Sequence, residues 1–148
     1  MKPKILILGA TGVLGIKLIK YLHSQNLKVH TAVCHQNSSL LNKLSIKYKI
    51  HSTFSLNKIK DKLSLESTIK KFNFDIIYCL DSNLTIFPLI IKSLNVQKNC
   101  IFAIANKDLI IAGGRILVNK ILASNNYICP LDSEHFSLID LFSMNKNN

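Results

Sequence analysis

The sequence predicts an α/β fold with a mostly parallel sheet and helices on both faces. Short apolar stretches with strand character alternate along the whole chain with stretches at helical spacing. The first apolar stretch, Ile5 to Leu8, is continuous, as expected of a parallel strand buried on both faces. A length of 148 residues without repeats or a Pro/Ser-rich linker corresponds to one domain.

The individual elements follow in a regular order. After the first strand, apolar residues at Ile16, Ile19 and Leu22 indicate a helix that Asn26 can end. A weak capping pattern at Ser64 suggests a helix start there. The predicted strands are 5–8, 28–34, 49–56, 74–80, 99–106 and 127–132, and the predicted helices are 16–26, 38–50, 64–72, 84–94, part of 107–126, and 133–142.

Composition narrows the classes of protein. A hydrophobic content of 48% supports a packed core. No stretch approaches the roughly 20 apolar residues that span a bilayer, so no membrane association is expected. The start, MKPKILILG, indicates a first strand and not a signal peptide. The four cysteines form no C-x-x-C pair, which favours a reducing, cytoplasmic location over a disulfide or zinc framework.

The formal charge of +11 raises the question of nucleic-acid binding. The lysines are scattered along the chain and form no basic helical stripe. RNA-binding signatures and stacking aromatic residues at suitable spacing are missing as well. We therefore expect no nucleic-acid partner.

A glycine-rich turn, GATGVLG from Gly9 to Gly15, follows the first strand and opens the first helix. Gly9 permits a tight turn, Gly12 lets backbone amides approach a pyrophosphate, and Gly15 lets the helix pack close to the strand. The helix N-terminus adds partial positive charge for phosphates. This pattern predicts a Rossmann-like dinucleotide-binding domain. The alternative is a tight turn of the same geometry with no ligand.

The end of the second strand bears on the type of nucleotide. Enzymes that use NAD usually carry an acidic residue there to hold the ribose hydroxyls. This chain has Cys34-His35-Gln36-Asn37 instead, which argues weakly against NAD. NADP remains possible, although the usual arginine or lysine for its 2′-phosphate is missing too. These positions could also be ordinary loop residues.

A pair of carboxylates, Asp132 and Glu134, follows the last predicted strand. Residues two apart on a strand project to the same side, and carboxylate oxygens suit a hard divalent ion such as Mg²⁺ or Mn²⁺. The alternative is a helix start, with Asp132 or Ser133 as the N-cap and Glu134 in the first turn. Spacing alone favours this second interpretation.

Three motifs in order resemble a known family. They are GATGVLG at the start, ANKDLIIAGG from Ala105 to Gly114, and PLDSEHFSLIDLF from Pro130 to Phe142. Together they resemble the amino-terminal region of 1-deoxy-D-xylulose 5-phosphate reductoisomerases. The last two motifs are the specific ones, and the resemblance covers nearly the whole chain, more weakly over residues 38–100.

The resemblance implies an NADPH-dependent enzyme of non-mevalonate isoprenoid biosynthesis. Such an enzyme rearranges the phosphosugar substrate and reduces the resulting aldehyde to 2-C-methyl-D-erythritol 4-phosphate. A divalent ion, Mg²⁺ or Mn²⁺, polarises the carbonyl. The full-length family is expected to form homodimers.

The resemblance also assigns roles to residues. It implies that Asp132 and Glu134 are metal ligands, that Ser133 contacts the substrate, and that Lys107, Ser133 and Glu134 form the catalytic set. The cofactor-binding residues carried over from the family are Gly9, Thr11, Gly12, Val13, Leu14, Asn37, Asn106 and Asp108.

Several positions depart from the family pattern. Ala10 and Val13 replace serines of the glycine turn, and His35-Gln36 replaces a Gly-Lys pair that brings positive charge. Asp108 is one methylene shorter than the family's glutamate. Each change is expected to weaken cofactor binding.

Family members continue far beyond the Asp-Ser-Glu motif. The sequence therefore predicts one Rossmann-like domain over residues 1–148, in which 129–148 begin a catalytic domain that is otherwise absent. One alternative is a non-catalytic nucleotide-binding remnant or partner-binding module, whose uncovered apolar surface would promote association. Another is a short-chain dehydrogenase or epimerase, which needs a Tyr-x-x-x-Lys pair; none of the four tyrosines has a lysine four residues later.

Overall fold

A computed structural model describes residues 2–83 and 86–131. Within them, six strands and five helices alternate without exception, as the sequence pattern predicts. The elements are β1 (Ile5–Leu8), α1 (Val13–Ser24), β2 (Val29–Cys34), α2 (Ser38–Tyr48), β3 (Ser52–Ser55), α3 (Ile59–Lys71), β4 (Ile76–Cys79), α4 (Phe87–Leu94), β5 (Ile101–Ile104), α5 (Lys107–Ala123) and β6 (Tyr127–Pro130).

All neighbouring strands are parallel, and their order in the sheet is β3-β2-β1-β4-β5-β6. The chain moves outward from β1 to β3, crosses back through α3, and continues outward from β4 to β6. The order therefore reverses between β1 and β4. Open α/β sheets bind ligands at such a switch point, beyond the carboxyl ends of the strands. The predicted Rossmann-like fold is confirmed.

Each strand feeds two hydrophobic cores because successive side chains point to opposite faces. Ile5 and Ile7 of β1 pack under α1 and α2, whereas Leu6 and Leu8 pack on the side of α3, α4 and α5. All four are at most 1% exposed. A strand buried on both faces must be apolar at every position, which is why the stretch Ile5 to Leu8 could be predicted as a strand from the sequence.

Most predicted boundaries agree with the structure, but α1 starts at Val13 instead of Ile16, and α3 starts earlier than expected by more than a helical turn. The helix predicted from Ser64 begins at Ile59, so the capping interpretation of Ser64 was wrong. Asp61 accounts for the earlier start, since its carboxylate accepts a 2.8 Å bond from the Ser55 amide and ties the first turn to β3. The helix predicted for 133–142 lies outside the described residues.

Two helices contain special residues whose placement follows ordinary rules. Pro88 lies in the first turn of α4, where its missing N–H leaves no hydrogen bond unmade. Gly114 interrupts α5 with φ +47° and ψ −143°, so this helix is kinked there. None of the helices described is both long and apolar enough to cross a membrane.

Buried amides join the amino-terminal ends of the last three strands. The Gln97 side chain accepts a 2.7 Å bond from the Phe74 amide and donates to the Ile69 carbonyl at 2.8 Å. Asn126 accepts from the Cys100 amide at 2.9 Å and donates to the Gln97 carbonyl at 3.0 Å. The loops that precede β4, β5 and β6 are thereby fixed at the end of the sheet opposite the switch point.

One part of the sheet is less covered. On the side of α1, strands β4 to β6 present Tyr78, Leu80, Ile101, Tyr127 and Leu131, which we call the open face. Tyr127 is 60% and Leu131 45% exposed in the described part of the chain. The core under α1 and α2 reaches Tyr78 and Leu80 at its edge, whereas Tyr127 and Leu131 are not part of it.

His30 sets a pH dependence of the fold. Its ring lies 4.7 Å from His51 and 4.8 Å from Phe72, measured between ring centroids. Burial lowers the pKa of His30, and the nearby charges of His51 and Lys4 lower it further. The unfolded chain therefore binds a proton at His30 more readily than the folded one does, so this contribution to stability is complete above about pH 6.5 and is lost as the pH falls below that value.

We expect His30→Gln to flatten the decline in unfolding free energy between about pH 7.5 and pH 5.5. Urea unfolding at a series of pH values measures this slope. His23→Gln, which removes an exposed histidine of α1, is the matched control. An unchanged slope in His30→Gln would contradict the assignment.

Candidate functional site: the glycine turn and the switch point

The turn after β1 is fixed by the neighbouring strand. The amides of Gly9 and Ala10 both donate to the Val33 carbonyl of β2, at 3.0 and 2.8 Å. The Gly12 amide donates back to the Gly9 carbonyl at 3.1 Å. The backbone thus turns sharply at the carboxyl end of β1 and enters α1 at once.

Two glycines of this turn are required by backbone contacts. Gly9 has φ +90°, and a Cβ there would lie 2.6 Å from the Asp81 nitrogen of the loop after β4. A Cβ on Gly15 would lie 2.3 Å from the Gly9 carbonyl oxygen. Neither position tolerates a side chain without moving α1 or the loop after β4.

Gly12 differs from these two glycines. Its φ of −74° is open to any residue, and a Cβ would meet only the Gly9 oxygen at an ordinary 3.4 Å. Gly12 is the N-cap of α1 and provides no side-chain cap. The next three amides, from Val13 to Gly15, have no partner within the helix, because Ile16 is the first to bond back, to the Gly12 carbonyl. The fold does not require glycine at position 12. An anion that binds these amides would favour it, because the absence of a side chain leaves room for close approach.

A cavity of about 310 Å³ opens beside this helix start and is called the switch-point cavity below. It brings together three residues that the sequence assigned to the site: Leu14 from α1, and Asn106 and Lys107 from the start of α5. The complete lining is Leu14, Leu80, Ser82, Ala105, Asn106 and Lys107. It therefore lies at the carboxyl ends of β4 and β5, next to the uncapped amides.

Asn106 has a structural role that the motif did not disclose. Its side-chain oxygen accepts from the amides of Asp108 and Leu109, at 2.9 and 3.3 Å, and so caps α5. Its side-chain nitrogen donates to the Asp81 carbonyl at 2.9 Å. Asn106 is only 8% exposed and fixes the loop after β4 relative to α5.

The remaining predicted cofactor residues occupy the rim. Asn37 caps α2 by accepting from the Leu40 amide at 3.0 Å. Val13 is 71% exposed and Thr11 is half-buried in the turn. Asp108 is exposed in the first turn of α5, where a carboxylate favours the helix dipole.

The predicted metal and substrate residues Asp132, Ser133 and Glu134 lie outside the described residues. Within 2–83 and 86–131 there is no group of three His, Cys, Asp or Glu side chains that could hold a metal ion. The thiols of the core are unsuited to this chemistry, since burial raises the pKa of Cys100 to about 12 and that of Cys79 further.

A second cavity, of about 240 Å³, was not foreseen and is called the β2-side cavity below. His35 from the end of β2 and Lys62 from α3 line it. The other lining residues are Leu56, Leu65, Glu66, Pro88 and Leu89. Sequence analysis had treated His35 only as a departure from a motif, because the spacing of 27 residues to Lys62 gives no sign of proximity.

The sheet order and the glycine turn define an α/β domain of the Rossmann type. Comparison with known families agrees. Residues 5–85, more than half of the chain, match the NAD dependent epimerase/dehydratase family, and the chain belongs to that family. The matched part runs from β1 past the end of β4 and so contains the glycine turn.

Comparison with individual relatives gives a more specific result than the family match. Over 139 residues the chain is 27% identical to the 1-deoxy-D-xylulose 5-phosphate reductoisomerase of Pseudothermotoga lettingae, covering 93% of this chain and 38% of that protein. It is 30% identical over 149 residues to the reductoisomerase of Malacoplasma penetrans, covering 99% of this chain and 38% of that protein. The resemblance inferred from the three motifs is confirmed, and the chain spans about two fifths of the length of these relatives.

Solved structures agree on the fold. A reductoisomerase in complex with NADPH, fosmidomycin and magnesium superposes with a TM-score of 0.72 over 90% of this chain and 37% of that one. Identity in this comparison is 17%, so it shows the shared fold alone.

The two kinds of glycine in the turn should respond differently to substitution. We expect Gly15→Ala to lower the free energy of unfolding by about 1–3 kcal/mol, because its Cβ would displace backbone. Gly12→Ala should stay within about 1 kcal/mol of the original chain. Urea unfolding monitored by circular dichroism measures both, and equal losses in the two variants would disprove the distinction.

Asn106→Ala should destabilise the domain by about 2 kcal/mol, because one buried and two partly buried hydrogen bonds are lost. The comparison variant Asn37→Ala removes a single exposed cap and should cost less, about 1 kcal/mol. Thermal and urea unfolding of the two variants test this order. A loss at Asn37 as large as that at Asn106 would contradict it.

Proposed function

We propose that this chain is the NADPH-binding part of a 1-deoxy-D-xylulose 5-phosphate reductoisomerase. The observation that carries the proposal is the uncapped start of α1, where Gly12 provides no side-chain cap and Leu14 lines the switch-point cavity. The relatives that match over nearly the whole chain are reductoisomerases, and a solved one is described in complex with NADPH and magnesium.

In this proposal the pyrophosphate lies against the amides of Val13 and Leu14. Gly9 and Gly15 hold the turn in shape, and the absence of a side chain at Gly12 leaves room for the phosphates. The reduced nicotinamide, which supplies hydride when bound, is placed in the switch-point cavity between Leu14 and Lys107.

Other residues of this chain would orient the ligand. Asn106 holds the loop after β4 through its bond to Asp81, which keeps the mouth of the switch-point cavity in shape. Lys107, exposed at the start of α5, places a cation where a phosphosugar substrate would approach. Thr11, Asn37 and Asp108 complete the proposed cofactor contacts from the rim.

The acid pair belongs to the same proposal. Asp132 and Glu134 would hold Mg²⁺ or Mn²⁺, which polarises a substrate carbonyl, and Ser133 would hydrogen-bond the substrate. These residues directly follow Leu131, whose amide bonds to the Ile104 carbonyl at 2.9 Å at the edge of the sheet. Residues 129–148 would thus begin the catalytic domain, and conversion of 1-deoxy-D-xylulose 5-phosphate in a homodimer would need the further length present in the relatives.

Cofactor titration tests this function. The purified chain should quench or enhance NADPH fluorescence saturably, and Gly12→Ala should weaken this binding about tenfold or more while the protein stays folded. Circular dichroism and urea unfolding of the variant provide the control for folding. A folded chain that binds neither NADPH nor NADH would overturn the proposal.

A non-catalytic, partner-binding module is the second candidate. The observation in its favour is the open face, where Tyr127 and Leu131 expose apolar surface. A chain that sediments as a clean monomer and does not bind dyes specific for apolar surface would count against it.

A further inference from the structure

The loop after β2 lacks the cation that a 2′-phosphate would need, but several lysines follow the neighbouring strand β3. The stretch that leads from β3 into the first turn of α3 reads Asn57-Lys58-Ile59-Lys60-Asp61-Lys62, with three lysines in six residues. All three are exposed. Their position relative to the end of β2 decides whether they can substitute for the missing charge.

Backbone pairing places this turn beside His35. β3 is the parallel neighbour of β2, with Cys34 opposite Ser55. The Leu56 amide donates to the Cys34 carbonyl at 2.9 Å, and the Asn57 amide donates to the His35 carbonyl at 3.1 Å. The start of α3 is therefore hydrogen-bonded to the loop whose sequence lacks a lysine or arginine.

Lys58 and Lys62 lie on the same side of α3. They are one helical turn apart, and the Lys62 amide donates to the Lys58 carbonyl at 3.1 Å. Lys62 lines the β2-side cavity, whereas neither Lys58 nor Lys60 is part of its lining. Helical spacing places Lys58, the N-cap of α3, beside Lys62, and it places Lys60 on another side of the helix.

The acidic groups nearby are already engaged. The Asp61 carboxylate accepts from the Ser55 amide at 2.8 Å. Glu66, which also lines the β2-side cavity, forms a 2.6 Å ion pair with Lys92. Neither contact involves Lys62.

His35 provides a second and independent indication of a ligand. Its Nδ1 is buried and has no hydrogen-bond partner within the part of the chain that the structure describes. Buried polar atoms are almost always satisfied. The His35 ring is part of the lining of the same cavity as Lys62, so the unpaired nitrogen belongs to the wall of that cavity.

We propose that Lys62, assisted by Lys58, binds the 2′-phosphate of NADPH, and that His35 Nδ1 hydrogen-bonds its adenosine in the β2-side cavity. The 2′-phosphate site is thereby moved from the loop after β2 to the start of α3. This inference rests on the proposed function, since it assumes that the chain binds a dinucleotide. Its ligand class is a ribose phosphate monoester attached to a purine.

Two adenosine nucleotides isolate the contribution of the 2′-phosphate, because the 5′-phosphate that would contact the glycine turn is common to both. Calorimetric titration of the chain with adenosine 2′,5′-bisphosphate and with adenosine 5′-phosphate compares ligands that differ only in the 2′-phosphate. We expect the bisphosphate to bind more tightly, and Lys62→Gln to reduce its affinity about tenfold while leaving the monophosphate within about twofold. Lys58→Gln should act in the same direction.

Two matched substitutions remove the same charge elsewhere on α3. Lys60→Gln tests the neighbouring side of the helix, and Lys70→Gln tests its far end, near the amino-terminal ends of the strands. Both should leave the ratio of the two affinities unchanged. His35→Leu should lower affinity for both ligands equally, because it removes a contact to the part that they share.

The outcomes separate this inference from the proposed function. NADPH binding that is preferred over NADH and insensitive to Lys62→Gln and Lys58→Gln would overturn the inference and leave the proposed function standing. An equal effect of Lys60→Gln and Lys62→Gln would also overturn it, since only bulk charge would then matter. A folded chain that binds neither nucleotide nor either dinucleotide would overturn both.

Discussion

The close approach of α1 to the end of β1 is the constraint on which the rest of the arrangement depends. A hydrogen atom at Gly15 is all that separates the helix from the Gly9 carbonyl, and a methyl group there would lie 2.3 Å from that oxygen. Because α1 can approach β1 this closely, the first-turn amides that have no partner within the helix lie next to the carboxyl end of β1. Gly9 extends the same tight packing to the Asp81 backbone after β4, so one turn joins both halves of the sheet at the switch point.

Asn106 continues this framework to the other side of the switch point. Through Asp81 it connects the loop that touches Gly9 to the start of α5. The cavity that would hold the reactive end of a dinucleotide therefore has walls that are hydrogen-bonded to one another. The capping role of Asn106 needs no ligand, which is why this residue needs a test of stability beside any test of binding.

Sequence patterns predicted the elements well, and the physical reason is burial. Parallel strands with both faces covered must be apolar throughout, so stretches such as ILIL and IIYC are easily recognised. The start of α3 was misplaced because the decisive contact, Asp61 to the Ser55 amide, is made by a side chain that reaches back to a strand. The structural roles of Gln97 and Asn126 were likewise hidden, since polar residues at loop positions look alike whether they are solvated or buried. The glycine turn was predictable because backbone contacts require glycine at positions 9 and 15. The β2-side cavity was not, because it forms only when β2, α3 and α4 come together.

The departures from the family motif can then be understood as a redistribution of contacts. His35-Gln36 stands where the family pattern has Gly-Lys, and His35 lines the β2-side cavity. Lys62 lines the same cavity from α3, whose first turn is bonded to β3 through Asp61. Discrimination between the two dinucleotides would then depend on the register of β2 with β3, where Cys34 lies opposite Ser55. A one-residue shift of that pairing would carry Lys62 away from His35 without changing any residue that touches the glycine turn, so affinity for the pyrophosphate and preference for the 2′-phosphate are separable properties of this fold.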